Sequence, residues 1–156
     1  MARSTVRMNG DELNRLMDQV ALFGDPTKMD QFLQACAKEL AARLLRKVIK
    51  RTPVGKYPSG SGKKGGTLRR GWTSGSRNAT NYAESLQVNH VGTDYVIEII
   101  NPVEYASYVE FGHRTRNHTG WVEGQFFLTI SEQEIQTSAP KILENKLKKY
   151  LKECFT

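Results

Sequence analysis

Residues 27–52, TKMDQFLQACAKELAARLLRKVIKRT, decide the fold. Met29, Phe32, Leu33, Cys36, Leu40, Leu44 and Val48 recur every three or four positions, the spacing of one apolar helical stripe. Thr27 reads as the cap, and Asp30 favours the positive end of the helix dipole. Arg43, Arg46, Lys47 and Lys50 gather in the last turns, where cations complement the negative end. Pro53 disfavours helical backbone at Thr52 and ends the run. About 23 residues give a rod on the order of 34 Å long. Upstream, residues 9–22 predict a shorter helix, with Asn9 and Glu12 placed as a capping box and Leu13, Leu16, Met17 and Val20 as its stripe. Gly24-Asp25-Pro26 reads as its stop.

Downstream, residues 53–66 (PVGKYPSGSGKKGG) hold five glycines, two prolines and two serines, and predict a flexible basic loop carrying Lys56, Lys63 and Lys64. Gly60 and Gly65 have the separation of a phosphate-binding loop, but Gly66 stands where its lysine is required, so nucleotide hydrolysis is rejected. Thr67 to Thr73 reads as a short turn entering a sheet, with Arg69 and Arg70 on opposite sides. Residues 74–84 read as a loop. Ser85–Val91 and Tyr95–Ile100 read as an antiparallel hairpin joined by Gly92-Thr93-Asp94. Leu86 and Val88 point inward. Tyr95, Ile97 and Ile99 share one face of their strand and Val96, Glu98 and Ile100 the other, which implies cover on both sides, by the long helix and by a neighbour.

Residues 104–128, EYASYVEFGHRTRNHTGWVEGQFFL, hold six aromatic residues, two histidines and three glycines. A short helix is expected from Pro102 to about Glu110, with Tyr105, Tyr108 and Val109 as its stripe and Gly112 as a left-handed cap. A loop from Gly112 to Gly120 carries His113, Arg114, Arg116 and His118. Another helix starts after Gly124, with Phe127, Ile130, Glu134 and Ile135 along it. A final helix, 138–156, has Ser138 as cap and Pro140 near its start. Ile142, Leu143, Leu147, Tyr150, Leu151 and Cys154 form its stripe, and Lys141, Lys146, Lys148, Lys149 and Lys152 its wet face. The fold class is α+β: the long helix packed on a small antiparallel sheet, with helical C-terminal elements.

The 156 residues are read as one domain, 1–156, long enough for a real core. Apolar content of 38% is low for a self-contained globule, which suggests burial between subunits. No run of 18 apolar residues exists and no secretory signal is apparent, so synthesis in the cytosol is expected. Cys36 and Cys154 lie on helical stripes and read as buried thiols.

Charge is segregated. Net charge is +7, yet residues 40–83 contain no Asp or Glu and eleven basic residues, leaving −4 for the remainder. A polyanion or an acidic protein surface is the partner such a segment suits. Non-specific DNA contact through phosphates is one expectation; a solvated or intersubunit salt-bridging face is the other. No helix-turn-helix, zinc-finger or RNA-recognition pattern is present, and Tyr57, Trp72 and Tyr82 are too scattered for a stacking platform.

Catalytic and metal chemistry find little support. Glu110, His113 and His118 could be imagined as ligands, but His-x4-His on a glycine-bounded loop does not match helical zinc spacing. No Ser-His-Asp order or paired catalytic carboxylates stand out. No enzyme activity, cofactor or metal is expected.

Three anchors carry a resemblance: Thr52-Pro53-Val54; Gly66-Thr67-Leu68-Arg69-Arg70-Gly71-Trp72; and Tyr105-Ala106-x-Tyr108-Val109-Glu110-Phe111-Gly112, with Trp121 and Gln125-Phe126-Phe127-Leu128 beyond. Together, across roughly residues 35 to 135, the chain resembles the minor tail or tail-completion proteins of long-tailed bacteriophages and phage-tail-like particles. Many of those run almost directly from Thr-Pro-Val into Gly-x-Leu-Arg, whereas here residues 55–65 intervene. The resemblance implies a structural virion protein at the head–tail junction, made in the bacterial host cytoplasm. It implies a homo-oligomeric, sixfold ring between the head connector or adaptor and the tail terminator or tail-tube protein, with DNA passing through and no membrane involved. It favours Arg69, Arg70, Trp72, Tyr105, Tyr108, Glu110, Phe111, Arg114, Trp121 and Phe126 as ring or partner contacts. Simple core packing is the other reading of the aromatics.

Overall fold

The computed structural model describes residues 1–11, 15 and 25–154. Its spine is helix α1, Pro26–Arg51. Asp25, not Thr27, caps it: the Asp25 carboxylate accepts the Thr27 N–H at 2.9 Å. Pro26 occupies the first turn, where a missing N–H costs nothing. The Asp-Pro pair read as a stop is therefore a start. Phe32, Leu33, Cys36, Leu40, Leu44 and Val48 are buried as the stripe requires, while Met29 is only partly buried. Ala37, Ala41, Ala42 and Leu45 widen the buried face.

The expected helix over 9–22 lies mostly outside the described residues. Asp11 and Arg15 are helical, and Asn9 caps as expected by accepting the Asp11 N–H at 2.8 Å.

α1 packs on a three-stranded antiparallel sheet formed by β1 (Ala2–Met8), β2 (Asn89–Val91) and β3 (Asp94–Asn101), in the order β1-β3-β2. The β2–β3 hairpin turns where expected, with Val91 opposite Asp94 and Gly92 at φ +63°. β2 is shorter than predicted, because Leu86 closes a helix instead, although Leu86 and Val88 still pack against the core. β1 was not anticipated. It pairs along the whole of β3, from Ala2 opposite Asn101 to Met8 opposite Tyr95. Ala2, Ser4, Val6 and Met8 are buried and Arg3, Thr5 and Arg7 are exposed, the period of a one-sided strand. Only Val6 and Met8 are strongly apolar, so the alternation is faint in the sequence. On β3, Tyr95, Ile97 and Ile99 are buried on one face, whereas on the other Val96 is buried, Ile100 half-buried and Glu98 exposed.

Two segments read as turn or loop are short helices. α2 spans Thr67–Gly71 and α3 spans Ala79–Ser85, the latter capped by Asn78, whose side chain accepts the Asn81 N–H at 3.1 Å. Arg69 and Arg70 thus sit on successive positions of a helix, not on opposite faces of a strand.

The C-terminal part corrects the expectation most. α4 is Ala106–Phe111, starting later than Pro102. The segment 112–123, predicted to begin as a loop, forms a second antiparallel pair, β4 (Gly112–Arg114) with β5 (Trp121–Glu123). A Cβ at Gly112 would crowd the Val122 carbonyl, and its φ of +87° suits glycine; its ψ of 173° is extended and not that of a left-handed helical cap. The two expected helices after Gly124 are one, α5, Phe127–Cys154, with Pro140 in its interior. Pro140 cannot donate to the Gln136 carbonyl. Packing along α1 holds the helix through that gap: Phe32 stacks on Tyr150 at 4.4 Å between centroids, and Glu134 joins both Lys47 and Arg51. Ser138 does not cap a new helix; its hydroxyl donates to the Glu134 carbonyl at 2.9 Å. The Cys154 side chain lies outside the described part. Cys36 is fully buried, and burial pushes its thiol up to about 11.

Candidate interface surfaces

Glu110 decides where the aromatic block points. It has no exposed surface, and its carboxylate reaches into the first turn of α5. There it accepts the Leu128 N–H at 2.9 Å, the Thr129 N–H at 2.8 Å and the Thr129 hydroxyl at 2.6 Å. A buried carboxylate requires such donors, and a helix N-terminus leaves N–H groups to be satisfied, so each supplies what the other lacks. The backbone adds Gln125 N–H to the Val109 carbonyl and Phe126 N–H to the Glu110 carbonyl.

With Ala106 and Glu110 facing inward, the expected stripe of α4 is split: Val109 packs partly against the core, while the two tyrosines turn outward. Tyr105 is 45% exposed and Tyr108 58%. Phe111, Trp121 and Phe126 are exposed as well, as are Val122 and Ile130. Phe111 and Phe126 meet edge to face with centroids 6.5 Å apart, and Tyr108 lies 6.0 Å from His113. Phe126 has φ +48°, a conformation costly for a bulky residue, and it is the last residue before α5. A cleft lined by Val54, Tyr57, Tyr105 and Val109 carries the apolar surface to the base of the 53–66 loop.

Behind this face lies a buried joint. Trp72 is 0% exposed, packs edge to face on Phe127 and donates its indole N–H to the Thr52 hydroxyl at 2.9 Å. Thr52 in turn donates to the Val48 carbonyl at 2.6 Å. Asn101 donates to the Leu68 carbonyl at 2.8 Å and accepts the Val103 N–H. Trp72 and Glu110 therefore hold the fold together and present no surface to a second subunit.

The basic segment folds into a groove of about 540 Å³, lined by Arg46, Lys50, Arg69, Arg70 and Arg77 with Thr73, Ser76, Asn78 and Thr80. The Arg69 guanidinium accepts its orientation from the end of α1, donating to the Thr52 carbonyl at 2.8 Å. Arg70 donates to the Gly65 carbonyl at 3.2 Å and Arg46 to the Thr80 hydroxyl at 3.1 Å. On α1, Arg43 is paired with Glu39, and Lys47 and Arg51 with Glu134. The two cations hold the Glu134 carboxyl down to about 2.

Over residues 14–112 the sequence matches a family described as "Bacteriophage HK97-gp10, putative tail-component". The chain belongs to this HK97-gp10-like family. No curated protein and no solved structure matches it. Membership makes it a structural tail component and thereby part of the virion. The family match takes in α1, the 53–66 loop, α2, the sheet hairpin and α4, and ends at Gly112. Two anchors of the resemblance lie wholly inside it; Trp121 and the Gln125–Leu128 run lie beyond.

The remaining expected contacts of this HK97-gp10-like chain fall in three places. Tyr105, Tyr108, Phe111, Trp121 and Phe126 are exposed at α4, the hairpin and the residue before α5, with Arg114 opposite Trp121 in the hairpin. Arg69 and Arg70 line the groove, and Lys56, Lys63 and Lys64 lie on the exposed loop, Lys63 over the Tyr57 ring. Glu110, His113 and His118 are not brought to one point: Glu110 is committed to α5, while His113 is half-buried and His118 exposed on the hairpin. Among the described residues no cluster fit to hold a metal is present, and no helix is long and apolar enough to cross a membrane.

Proposed function

We propose that the chain is a tail-completion component of the head–tail junction, assembling as a homo-oligomeric ring that links the head connector to the tail tube and lets DNA pass. The observation that carries this reading is the aromatic face of α4, the β4–β5 hairpin and the start of α5. Tyr and Trp at the centre of an interface supply large rigid contact area, and large apolar side chains exposed on neighbouring elements suit a contact surface. The occupant is a second copy of the chain, as in a ring, and the remaining flanks meet the connector and the tail terminator or tube protein. The mechanism is docking; no catalytic step is involved.

Light scattering on the purified chain, with and without a tail-tube partner, tests this. A defined ring, alone or on the tube, is the expected result. A monomer under both conditions overturns it. The 53–66 loop orders on assembly in this scheme, so protease cleavage there is faster in the free chain than in the particle; equal resistance removes that part of the proposal.

A further inference from the structure

We infer that the groove between the end of α1, α2 and the start of α3 is a binding site for the phosphodiester backbone of duplex DNA. Arg46, Lys50, Arg69, Arg70 and Arg77 line it. Among the described residues none of the five is ion-paired. The carboxylates of Glu39 and Glu84, on flanking turns, are engaged by Arg43 at 2.8 Å and Lys38 at 4.0 Å.

Three of the guanidinium groups are held by neutral acceptors: Arg46 by the Thr80 hydroxyl, Arg69 by the Thr52 carbonyl and Arg70 by the Gly65 carbonyl. Such bonds fix direction without cancelling charge. The site is thus oriented and strongly cationic, with the Glu39 carboxylate near Arg46 the charge that partly offsets it, and this is the state in which Arg recognises phosphate oxygens. Thr73, Ser76, Asn78 and Thr80 add the neutral hydroxyl and amide groups that share phosphate contacts.

An acidic protein partner is the competing ligand for a cationic groove. A stable protein interface has an apolar centre, and here only Ile49 and Ala79 are apolar in the lining. The chain's exposed aromatic surface lies elsewhere, on α4 and the hairpin. Charge without an apolar anchor suits a sequence-independent polyanion, held by release of its counterions. The groove gives the DNA that the junction reading passes through the ring a surface to meet, and in that respect rests on that reading. Binding by the free chain does not depend on ring formation.

The test is anisotropy of a labelled, random-sequence duplex of about 20 base pairs titrated with the whole chain between roughly 50 and 200 mM KCl. The log–log slope is expected at about −3 to −4, since each neutralised phosphate contributes about −0.9. The triple variant Arg46→Gln, Lys50→Gln, Arg77→Gln, which spares the bracing Arg69 and Arg70, loses roughly 2 to 3 of that slope. Arg77→Lys keeps it, which guards against a fold defect. The loop variant Lys56→Gln, Lys63→Gln, Lys64→Gln keeps most of it too.

Loss of the slope in the loop variant and not in the groove variant overturns the inference. So does equal binding of poly-glutamate and duplex, which assigns the groove to an acidic protein, and so does absence of DNA binding at the lowest salt. Light scattering of the triple variant separates the two proposals: ring formation persists there if the aromatic face is the seam, whatever the DNA result.

Discussion

Trp72 and Trp121 sit in opposite worlds. Trp72 is enclosed, with its N–H on Thr52 and its ring against Phe127; Trp121 is 55% exposed on a short hairpin. The same contrast runs through the two neighbourhoods. The joint of Thr52, Trp72, Asn101, Glu110 and Ser131 is buried and fully hydrogen-bonded, and no buried side-chain polar atom among the described residues lacks a partner. The α4–hairpin face leaves five aromatics uncovered. One region is complete within the chain; the other leaves its aromatic rings open to solvent. The lesson is that aromatic content does not separate core from interface. What separates them is which face of α4 the carboxylate of Glu110 draws inward.

The largest effect expected from breaking this contrast is at the joint. Trp72→Ala removes a fully enclosed ring together with the hydrogen bond its indole N–H gives the Thr52 hydroxyl, and is expected to cost about 3–5 kcal/mol in denaturant unfolding. Glu110→Ala leaves two N–H groups of α5 without their acceptor and is expected to cost about 2–3 kcal/mol by the same measurement. A loss below about 0.5 kcal/mol would remove the carboxylate from its capping role.

On the open face the pattern inverts. Tyr108→Ser with Phe111→Ser is expected to change stability of the free chain by no more than about 0.5 kcal/mol, while abolishing the ring mass in light scattering. Comparable losses of stability in this variant and in Trp72→Ala would erase the distinction between the two regions.

Between them lies the Glu134 clasp, joining α1 to α5 through Lys47 and Arg51. Its carboxyl is lowered from 4.5 to about 2 by those two cations, so its contribution is present above pH 4.5 and fades as pH falls towards 2. The Tm difference between the chain and Glu134→Gln should shrink over that window and vanish at its acid end; a constant difference would assign the effect to packing. The smallest effect is chemical. With Cys154 replaced by Ser, the buried Cys36 thiol, pushed up to about 11, should resist alkylation at pH 8 until the chain unfolds.

The readable parts of the sequence are those where one physical term dominates. α1 has a long uninterrupted stripe, and the β2–β3 turn has its glycine. The unreadable parts are settled by contacts distant in sequence. β1 exists because β3 offers it a full register, not because Ala2–Met8 is apolar. α5 runs through Pro140 because α1 lies alongside, which no local rule at Ser138-Ala139-Pro140 can report. Among the interface candidates, Tyr105, Tyr108, Phe111, Trp121 and Phe126 are exposed, but Trp72 and Glu110 look the same in sequence and are interior. The gathering of Arg46, Lys50, Arg69, Arg70 and Arg77 in one groove needed α2 and α3, both read as irregular. Only the absence of acids over 40–83 pointed towards it.

The loop between α1 and α2 closes on itself at its root. A side chain at Gly65 would overlap the Gly55 carbonyl, so the strands of the arm leave and return at nearly the same point. Residues 56–64 are therefore a detachable appendage. A direct join across that root would leave the spine helix, its Arg69 brace and Trp72 in register, and lengthening the arm costs little more than the slow growth of loop entropy. Length and lysine content there can change without disturbing the scaffold on either side of the root.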